Sequence, residues 1–218
     1  MKITRIQPQK FRKQILTVSL DDKRAFKVHT ETAAKNSLEE GKTLTEEEVQ
    51  SLQQQSENKE AHEYGYVFLS YRSRSEKEMR DRLKRRGYTD MTIDSVIADF
   101  KESRLLDDTA MARNLAESRM KTRLWGARKV KQDLLQKGIP PKVADEAAES
   151  AETASAEHHL DQEERAYQLL LKRKDQIHSD EPRALYRRLF AYLTRRGYDF
   201  DTVERVMHRY RKEQTSNH

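Results

Sequence analysis

The chain has 218 residues, of which 37% are charged and 35% hydrophobic, and a mean hydropathy of -1.06 argues against one thick core. Six glycines and four prolines favour helices over a turn-rich β protein, and the lack of cysteine excludes disulfides, thiolate nucleophiles and zinc–thiolate sites. No apolar run approaches the roughly 18 residues of a spanning helix, so we expect a cytoplasmic protein without a membrane partner, and the net charge of +6 favours an acidic partner such as nucleic acid.

Residues 1 to about 42 are the only part of the sequence with a pattern typical of β-strands. The segments KITRIQ, ILTVSL and AFKVHT predict a small antiparallel hairpin region of up to three short strands, with a polar turn at Asp21–Lys23. Thr45 with Glu48 three residues later is a capping-box pattern, which predicts the start of a helix. The polar continuation SLQQQSENKEAHE is expected to fray or to act as a hinge before the next helix.

From residue 73 onward, one sequence pattern typical of a helix end occurs three times. LKRRGY at 83–88 returns as LTRRGY at 193–198, and DLLQKGI lies between them. The glycines Gly87, Gly138 and Gly197 predict helix ends, because glycine adopts the left-handed conformation that stops a helix without steric cost. Apolar residues occur four and eight positions before each glycine: Met79, Leu83, Val130, Leu134, Leu189 and Leu193.

A second helix is predicted after each of these glycines. Residues that start helices follow in each copy: Thr89 or Asp90, then Pro140–Pro141, then Asp199. Asp107 or Asp108 is expected to cap a third helix, and Asp161 is expected to cap the corresponding helix of the second copy. The same apolar stripe recurs six, nine and ten positions past each glycine: Ile93, Val96, Ile97, Ala144, Ala147, Ala148, Val203, Val206 and Met207.

These repeats predict a mainly α fold of tandem three-helix repeats in an elongated, curved array, with a small N-terminal β-hairpin region. Each glycine-terminated helix is taken as the first helix of its module. The predicted domains are 1–58 (hairpin plus helix), 59–121 (first module with a preceding helix), 122–175 (second module) and 176–218 (third module).

Basic residues concentrate in the glycine-terminated helices and in the segments that lead to them. Repeated modules would place these clusters along one side of the array, where they form a basic track for nucleic acid. A structural explanation stays open near the helix ends, because Lys and Arg there complement the helix dipole. The predicted partner- or DNA-binding residues are Arg72, Arg74, Arg80, Lys84, Arg85, Arg119, Lys121, Arg123, Trp125, Arg128, Lys129, Lys131, Arg187, Arg188, Arg195 and Arg196.

Three other features carry a functional and a structural interpretation. For Trp125 the functional interpretation is stacking on a base or on a partner surface, and the structural interpretation is packing between modules. Asp107–Asp108 is better explained by helix capping than by Mg²⁺ binding, and His158–His159 is better explained by solvated surface than by a metal site. The sequence has no phosphate-binding glycine loop, HExxH motif or nucleophile setting, so we predict no enzyme, no cofactor and no metal.

The order and spacing of four segments resemble the RecX family of bacterial regulators of the RecA recombinase: RSRSEKEMRDRLKRRGY, SRLLDDTAMARNLAESR, WGARKVKQDLLQKGI and LFAYLTRRGYDFDTVERVM. This resemblance covers about residues 60–210. It implies a curved, elongated molecule of three tandem three-helix repeats, lodged in the groove of the RecA–DNA filament. We expect the protein to be a monomer. Such a protein modulates, and usually inhibits, ATP hydrolysis and strand exchange in recombination, DNA repair and the SOS response.

Two other functions stay open from the residues alone. One is a stand-alone, helix-turn-helix-like DNA-binding regulator, for which a DNA sequence preference without RecA is required. The other is a purely protein-binding scaffold, whose binding would persist at high salt and without DNA.

Overall fold

The structure is a computed structural model that describes residues 1–157, 161–174, 176–177 and 181–216. It divides into two compact units. The first comprises Met1–Arg74 with Glu78–Leu106, and the second comprises Ser75–Lys77 with Asp107–His218.

The first unit opens with the predicted antiparallel sheet. Its strands are β1 (Ile3–Pro8), β2 (Ile15–Leu20) and β3 (Ala25–His29), and they lie in the order β1-β2-β3. The turn between β2 and β3 includes Lys23 with a φ of 69°. The sheet buries Ile3 of β1, Ile15, Val18 and Leu20 of β2, and Phe26 and Val28 of β3. All of these except Ile15 share one core with residues that follow the sheet in the chain: Ala33, Leu44, Val49 and Leu52.

A short helix α1 (Thr30–Lys35) leads to α2 (Glu46–Ser70), the long helix of this unit. Thr45 and Glu48 form the predicted capping box. The expectation of a hinge after residue 50 is wrong, because α2 is one continuous helix of 25 residues. Its polar middle stays helical because one face remains buried along the whole length, through Val49, Leu52, Ser56, Ala61 and Gly65.

The next two helices are α3 (Glu76–Arg86), which belongs to the first unit from Glu78 onward, and α4 (Asp90–Glu102). Thr89 caps α4, as predicted, through a hydrogen bond from the Thr92 amide to its hydroxyl. The second half of α2 shares a buried cluster with both helices, formed by Ala61, Met79, Leu83, Ile93, Val96, Ile97, Phe100 and Leu106.

The second unit contains two further groups of three helices. The first group is α5 (Asp108–Arg123), α6 (Ala127–Gln136) and α7 (Pro141–Glu157), and the second is α8 (Gln162–Lys174), α9 (Pro182–Arg195) and α10 (Phe200–Ser216). Asp107 and Asp161 cap α5 and α8 as predicted. Each group has its own core, one rich in alanine and the other rich in leucine and tyrosine.

The three glycines end their helices as the sequence predicts. Gly87, Gly138 and Gly197 have φ values of 92°, 81° and 94°. The order of helices within a module differs from the prediction, because the glycine-terminated helices α3, α6 and α9 are each the middle helix of the three that share a core. The helix beginning at Asp108 therefore packs with α6 and α7 and not with α3 and α4 as its third member. No helix among the described residues has both the length and the apolar character to cross a membrane.

Candidate nucleic-acid interface

The first basic cluster lies on α3 and its approach, and most of its predicted binding residues contact acids. Arg72 donates two hydrogen bonds to the Glu78 carboxylate, at 2.7 and 3.1 Å, and this pairing raises the pKa of Arg72 above its usual value. Two more cations pair with α4 or its start, Arg80 with Asp94 at 2.6 Å and Lys84 with Asp90 at 3.6 Å. Surface pairs of this kind add little stability, but they lower the local positive potential.

Two other residues of this cluster have different surroundings. The Arg74 guanidinium stacks 4.0 Å from the centroid of the Phe68 ring. Burial, followed by the charge of Arg72, lowers the pKa of Arg74 below its usual value. Arg85 is exposed at the end of α3. Of the five predicted residues in this cluster, Arg85 is therefore the one best placed for a solvent-side contact.

The second basic cluster is organised around Trp125. The Trp125 side chain is only 7% exposed and packs in the core of α5–α7, which fits the packed interpretation and not the base-stacking one. Three predicted binding residues lie close to its ring: Arg119 and Arg123 at 5.3 Å from the centroid, and Lys129 at 5.7 Å. A cation is attracted to the electron-rich face of an indole ring. Trp125 therefore holds these three cations close together.

Two cations of this second cluster also pair with acids. Arg119 contacts Asp133 at 3.0 Å, and Lys131 contacts Asp145 at 2.5 Å. Lys121 and Arg128 are exposed. The structure thus separates the predicted residues of this cluster into cations that hold helices together and cations that face solvent.

The pairs of Arg80 and Lys131 occupy the same place in their modules. Each cation lies seven positions before its glycine, and each partner, Asp94 or Asp145, lies seven positions after it. An ion pair between the middle and third helices has therefore been repeated. The third module has Phe190 at the first of these positions, and its ring packs 5.4 Å from Phe200. This regularity is visible in the sequence and was missed.

The third basic cluster forms a cleft at α9. It has a volume of about 510 Å³, and Arg187, Arg188 and Arg195 line it together, as predicted residues of one site. No acidic residue lines this cleft within the described part of the chain. Small side chains, Ala184 and Ala191, leave room between the arginines. The arrangement suits an anion that several guanidinium groups contact at once.

Sequence reasoning missed two members of this cleft. Arg173 comes from the last turn of α8 and lies 5.7 Å from the centroid of Tyr192, which also lines the cleft. The predicted residue Arg196 stacks on the same ring at 5.0 Å. The Tyr192 ring is thus close to one arginine from the end of α8 and one from the end of α9. The basic run LKRK at the end of α8 was the available signal, but only folding brings it beside α9.

One group of side chains in the first unit has the composition of a metal site. His29, Glu31 and Glu63 offer ligand atoms that lie within 4.8 Å of one another. The Lys59 ammonium, however, lies 2.7 Å from the Glu31 carboxylate and 3.8 Å from that of Glu63, so a cation already neutralises these groups. His158–His159 lies outside the described residues.

Three family models match the chain, and their ranges follow the modules of the structure. The models for the first, second and third three-helix domains of RecX match residues 61–100, 107–147 and 161–207. The chain belongs to the RecX family. The matched ranges of the RecX models begin with the helix before each glycine-terminated helix, as the shared cores do. The domain boundaries predicted from the sequence stay predictions.

Named RecX relatives and solved RecX structures extend this match. The chain is 30% identical to Regulatory protein RecX of Bacillus velezensis over 205 residues, which is 94% of this chain and 76% of that one. For the protein of the same name in Listeria welshimeri the identity is 28% over 204 residues, with coverages of 94% and 74%. A crystal structure of regulatory protein RecX matches with a TM-score of 0.67 and 25% identity over 94% of this chain and 98% of that one. The RecX structure from Lactobacillus salivarius, with a TM-score of 0.58, 23% identity and coverages of 70% and 96%, shows the same fold.

Proposed function

We propose that this protein is a non-catalytic, cytoplasmic regulator that binds the RecA–DNA filament as a monomer and inhibits its ATPase and strand exchange. It would thereby limit homologous recombination, DNA repair and the SOS response. Membership of a family whose relatives are named regulatory proteins supports regulation, and RecA as the partner comes from the resemblance of the repeated segments to that family.

The observation that carries DNA binding is the arginine cleft of α8 and α9. Arg173, Arg187 and Arg195 converge there beside Arg188, and no acid is among the described lining residues. The proposal rests on the first three of these arginines. Guanidinium groups bind phosphate through paired hydrogen bonds and keep their charge at any physiological pH. Each phosphate contact releases condensed counterions, so binding at this cleft is expected to weaken steeply with salt.

The test is the DNA-dependent ATPase of the cognate RecA, titrated with this protein and with the R187Q/R195Q variant. We expect the wild type to inhibit, and the variant to require a higher concentration for the same inhibition. In direct binding to the filament, the variant should reduce the salt slope by about two, because each substitution removes one cation that pairs with a phosphate. The matched control is R113Q/K142Q, which removes two exposed cations elsewhere in the same unit.

Each result has a defined meaning. Unchanged inhibition and an unchanged salt slope in R187Q/R195Q would contradict a phosphate-binding cleft, and a loss of equal size in R113Q/K142Q would show only an effect of net charge. A protein that binds one DNA sequence without RecA would instead be the helix-turn-helix-like regulator. Binding that persists in high salt and without DNA would indicate a protein scaffold.

A further inference from the structure

The loop between β1 and β2 exposes an aromatic side chain that the fold does not use. Phe11 is 91% exposed. Its ring therefore contributes almost no hydrophobic stabilisation to the fold. Lys10, Arg12 and Lys13 flank it, so the tip of the hairpin reads KFRK and contains no acid. An exposed ring among cations needs an explanation other than stability.

The loop is held in place beside α2. An ion pair joins Arg12 to Glu60 of α2, and backbone hydrogen bonds close the base of the loop, from the Gln9 amide to the Ile15 carbonyl and from the Ile15 amide to the Arg12 carbonyl. Because Arg12 is bound to α2, the adjacent Phe11 is held beside α2 while its ring stays in solvent.

Between this loop and α2 lies a groove of about 840 Å³ in the first unit. Tyr66 lines it with one side of its ring against Phe100, at a centroid distance of 4.9 Å, and it remains 51% exposed. Val67, next to it on α2, is 56% exposed. Gly65 allows this arrangement, because a Cβ there would lie 2.5 Å from the Phe100 ring. The groove thus offers two open aromatic surfaces, Phe11 and Tyr66.

The charges around the groove favour an anionic occupant. Arg12, Lys13 and Arg86 line it, and Lys10 is adjacent, with its ammonium 5.7 Å from the Phe11 centroid. Two acids also line the groove, but Arg12 contacts Glu60, and Lys59 lies 3.8 Å from Glu63. Because Arg12 is taken up by Glu60, the lining cations outside these ion pairs are Lys13 and Arg86. Open aromatic faces together with such cations are the combination with which proteins bind single strands, through base stacking and phosphate contacts.

We propose that the β1–β2 loop and the facing surface of α2 form a base-stacking site for single-stranded nucleic acid, with Phe11 as its principal platform. This site is separate from the α9 cleft, which binds phosphate in the function proposed above. A duplex presents no open base faces to Phe11, so the site selects single strands.

The experiment measures Kd by fluorescence anisotropy for a labelled oligothymidylate and for an abasic oligomer of the same length, using the full chain. Phe11→Ala should weaken oligothymidylate binding roughly tenfold, which corresponds to one stacked base at about 1.4 kcal/mol, and should leave abasic binding unchanged. Phe11→Tyr keeps a ring and should restore the affinity. Met91→Ala removes another exposed apolar side chain of this unit and is the matched control.

The same assay separates this site from the α9 cleft. R187Q/R195Q should weaken the binding of both oligomers to a similar degree, because it removes phosphate contacts and no stacking. Equal affinity of wild type and Phe11→Ala for oligothymidylate overturns the stacking site, whatever the α9 variant does. A Phe11→Ala effect on RecA inhibition without any effect on oligomer binding also overturns it, and would assign the groove to a protein partner. The melting temperature should not change in Phe11→Ala, since the ring buries almost no surface.

Discussion

The middle helices of the second and third modules, α6 and α9, have the same register but use their charges differently. Both carry a basic pair nine and ten positions before the glycine, Arg128–Lys129 and Arg187–Arg188. In α6, Lys131 and Asp133 follow at seven and five positions before the glycine, and both take part in ion pairs. In α9 the same two positions hold Phe190 and Tyr192.

This difference of two residues decides the character of each surface. Asp133 neutralises Arg119, and Arg123 and Lys129 lie close to the Trp125 ring, so these charges hold α5 and α6 together. Tyr192 carries no charge, and it supports Arg173 and Arg196 on its ring. A basic cluster therefore lines an open cleft where an aromatic residue replaces the acid.

The largest expected effect tests the structural role of the aromatic residue in the second module. Trp125→Ala should lower the free energy of unfolding by about 3–5 kcal/mol, because it leaves a cavity in the alanine-rich core. Tyr192→Ala should cost roughly 1–2 kcal/mol, since its ring is only partly buried. Urea denaturation followed by circular dichroism measures both. Equal costs at the two sites would contradict the division into a structural tryptophan and a cleft-wall tyrosine.

The glycines that end α6 and α9 give the next largest contrast. Gly197→Ala should cost about 3 kcal/mol, because the residue has a φ of 94° and an added Cβ would lie 2.3 Å from the backbone nitrogen of Lys129. At Gly138 a Cβ would lie 2.3 Å from the Cδ and 2.5 Å from the Cβ of Lys77. The Cδ can turn away, but the Cβ moves only with the backbone, so Gly138→Ala should also be costly, and it should cost less than Gly197→Ala because no backbone atom lies in the way. Chemical denaturation measures the order. A larger loss at Gly138 would mean that the close approach of the backbone is not what distinguishes the two helix ends.

The sequence predicts this fold well where the signal is local. Helix ends at Gly87, Gly138 and Gly197, and the caps at Thr45 and Asp107, follow from residue chemistry within a few positions, and the structure confirms them. The grouping of helices into modules does not follow from spacing alone, because a repeated pattern has no intrinsic starting point. Only the packing of Ala112, Ala116 and Met120 against α6 and α7 fixes it.

The site was predicted less completely, because charge clusters in a sequence do not reveal their partners. Lys131 and Arg187 look alike in the chain, yet one pairs with Asp145 and the other lines the cleft. Arg173 is 14 residues upstream of Arg187 and belongs to another helix, so only tertiary structure joins them. In the sequence, a cation seven positions before a glycine and an acid seven positions after it mark an ion pair, as in Arg80–Asp94 and Lys131–Asp145. This spacing could have separated the cations that pair within the fold from those that face solvent.

The contrast between Asp133 and Tyr192 can be tested by transplanting the acid. Tyr192→Asp should weaken binding to DNA roughly tenfold, because a carboxylate in the cleft attracts the arginines and repels phosphate. Tyr192→Asn removes the ring without adding charge and should have a smaller effect. Filament binding at two salt concentrations measures both variants. If Asn and Asp weaken binding equally, removal of the ring and not the added charge is responsible, and the comparison with the second module fails on this point.

The smallest effect concerns the residue two positions after each glycine, which precedes the third helix. This residue is Pro140 in the second module and Asp199 in the third, so only the third module can titrate there. Burial tends to raise the pKa of Asp199, but hydrogen bonds from the Thr202 amide at 2.8 Å and from Gln162 at 2.7 Å outweigh it and hold the pKa below its usual value. A carboxyl group with a lowered pKa in the folded state stabilises the protein above its unfolded pKa of about 3.9, and this contribution disappears as the pH falls through the folded value.

Asp199→Asn should therefore reduce the loss of stability between about pH 4 and pH 2, by less than about 1 kcal/mol because solvent screens the partly exposed group. At pH 7 the variant should remain close to wild type, since asparagine also caps a helix well. Urea denaturation across this pH range measures the difference. Pro140→Ala is the matched change in the second module and should shift stability equally at every pH, because nothing at that position binds a proton. An unchanged acid sensitivity in Asp199→Asn would show that other carboxyl groups govern the acid response of the third module.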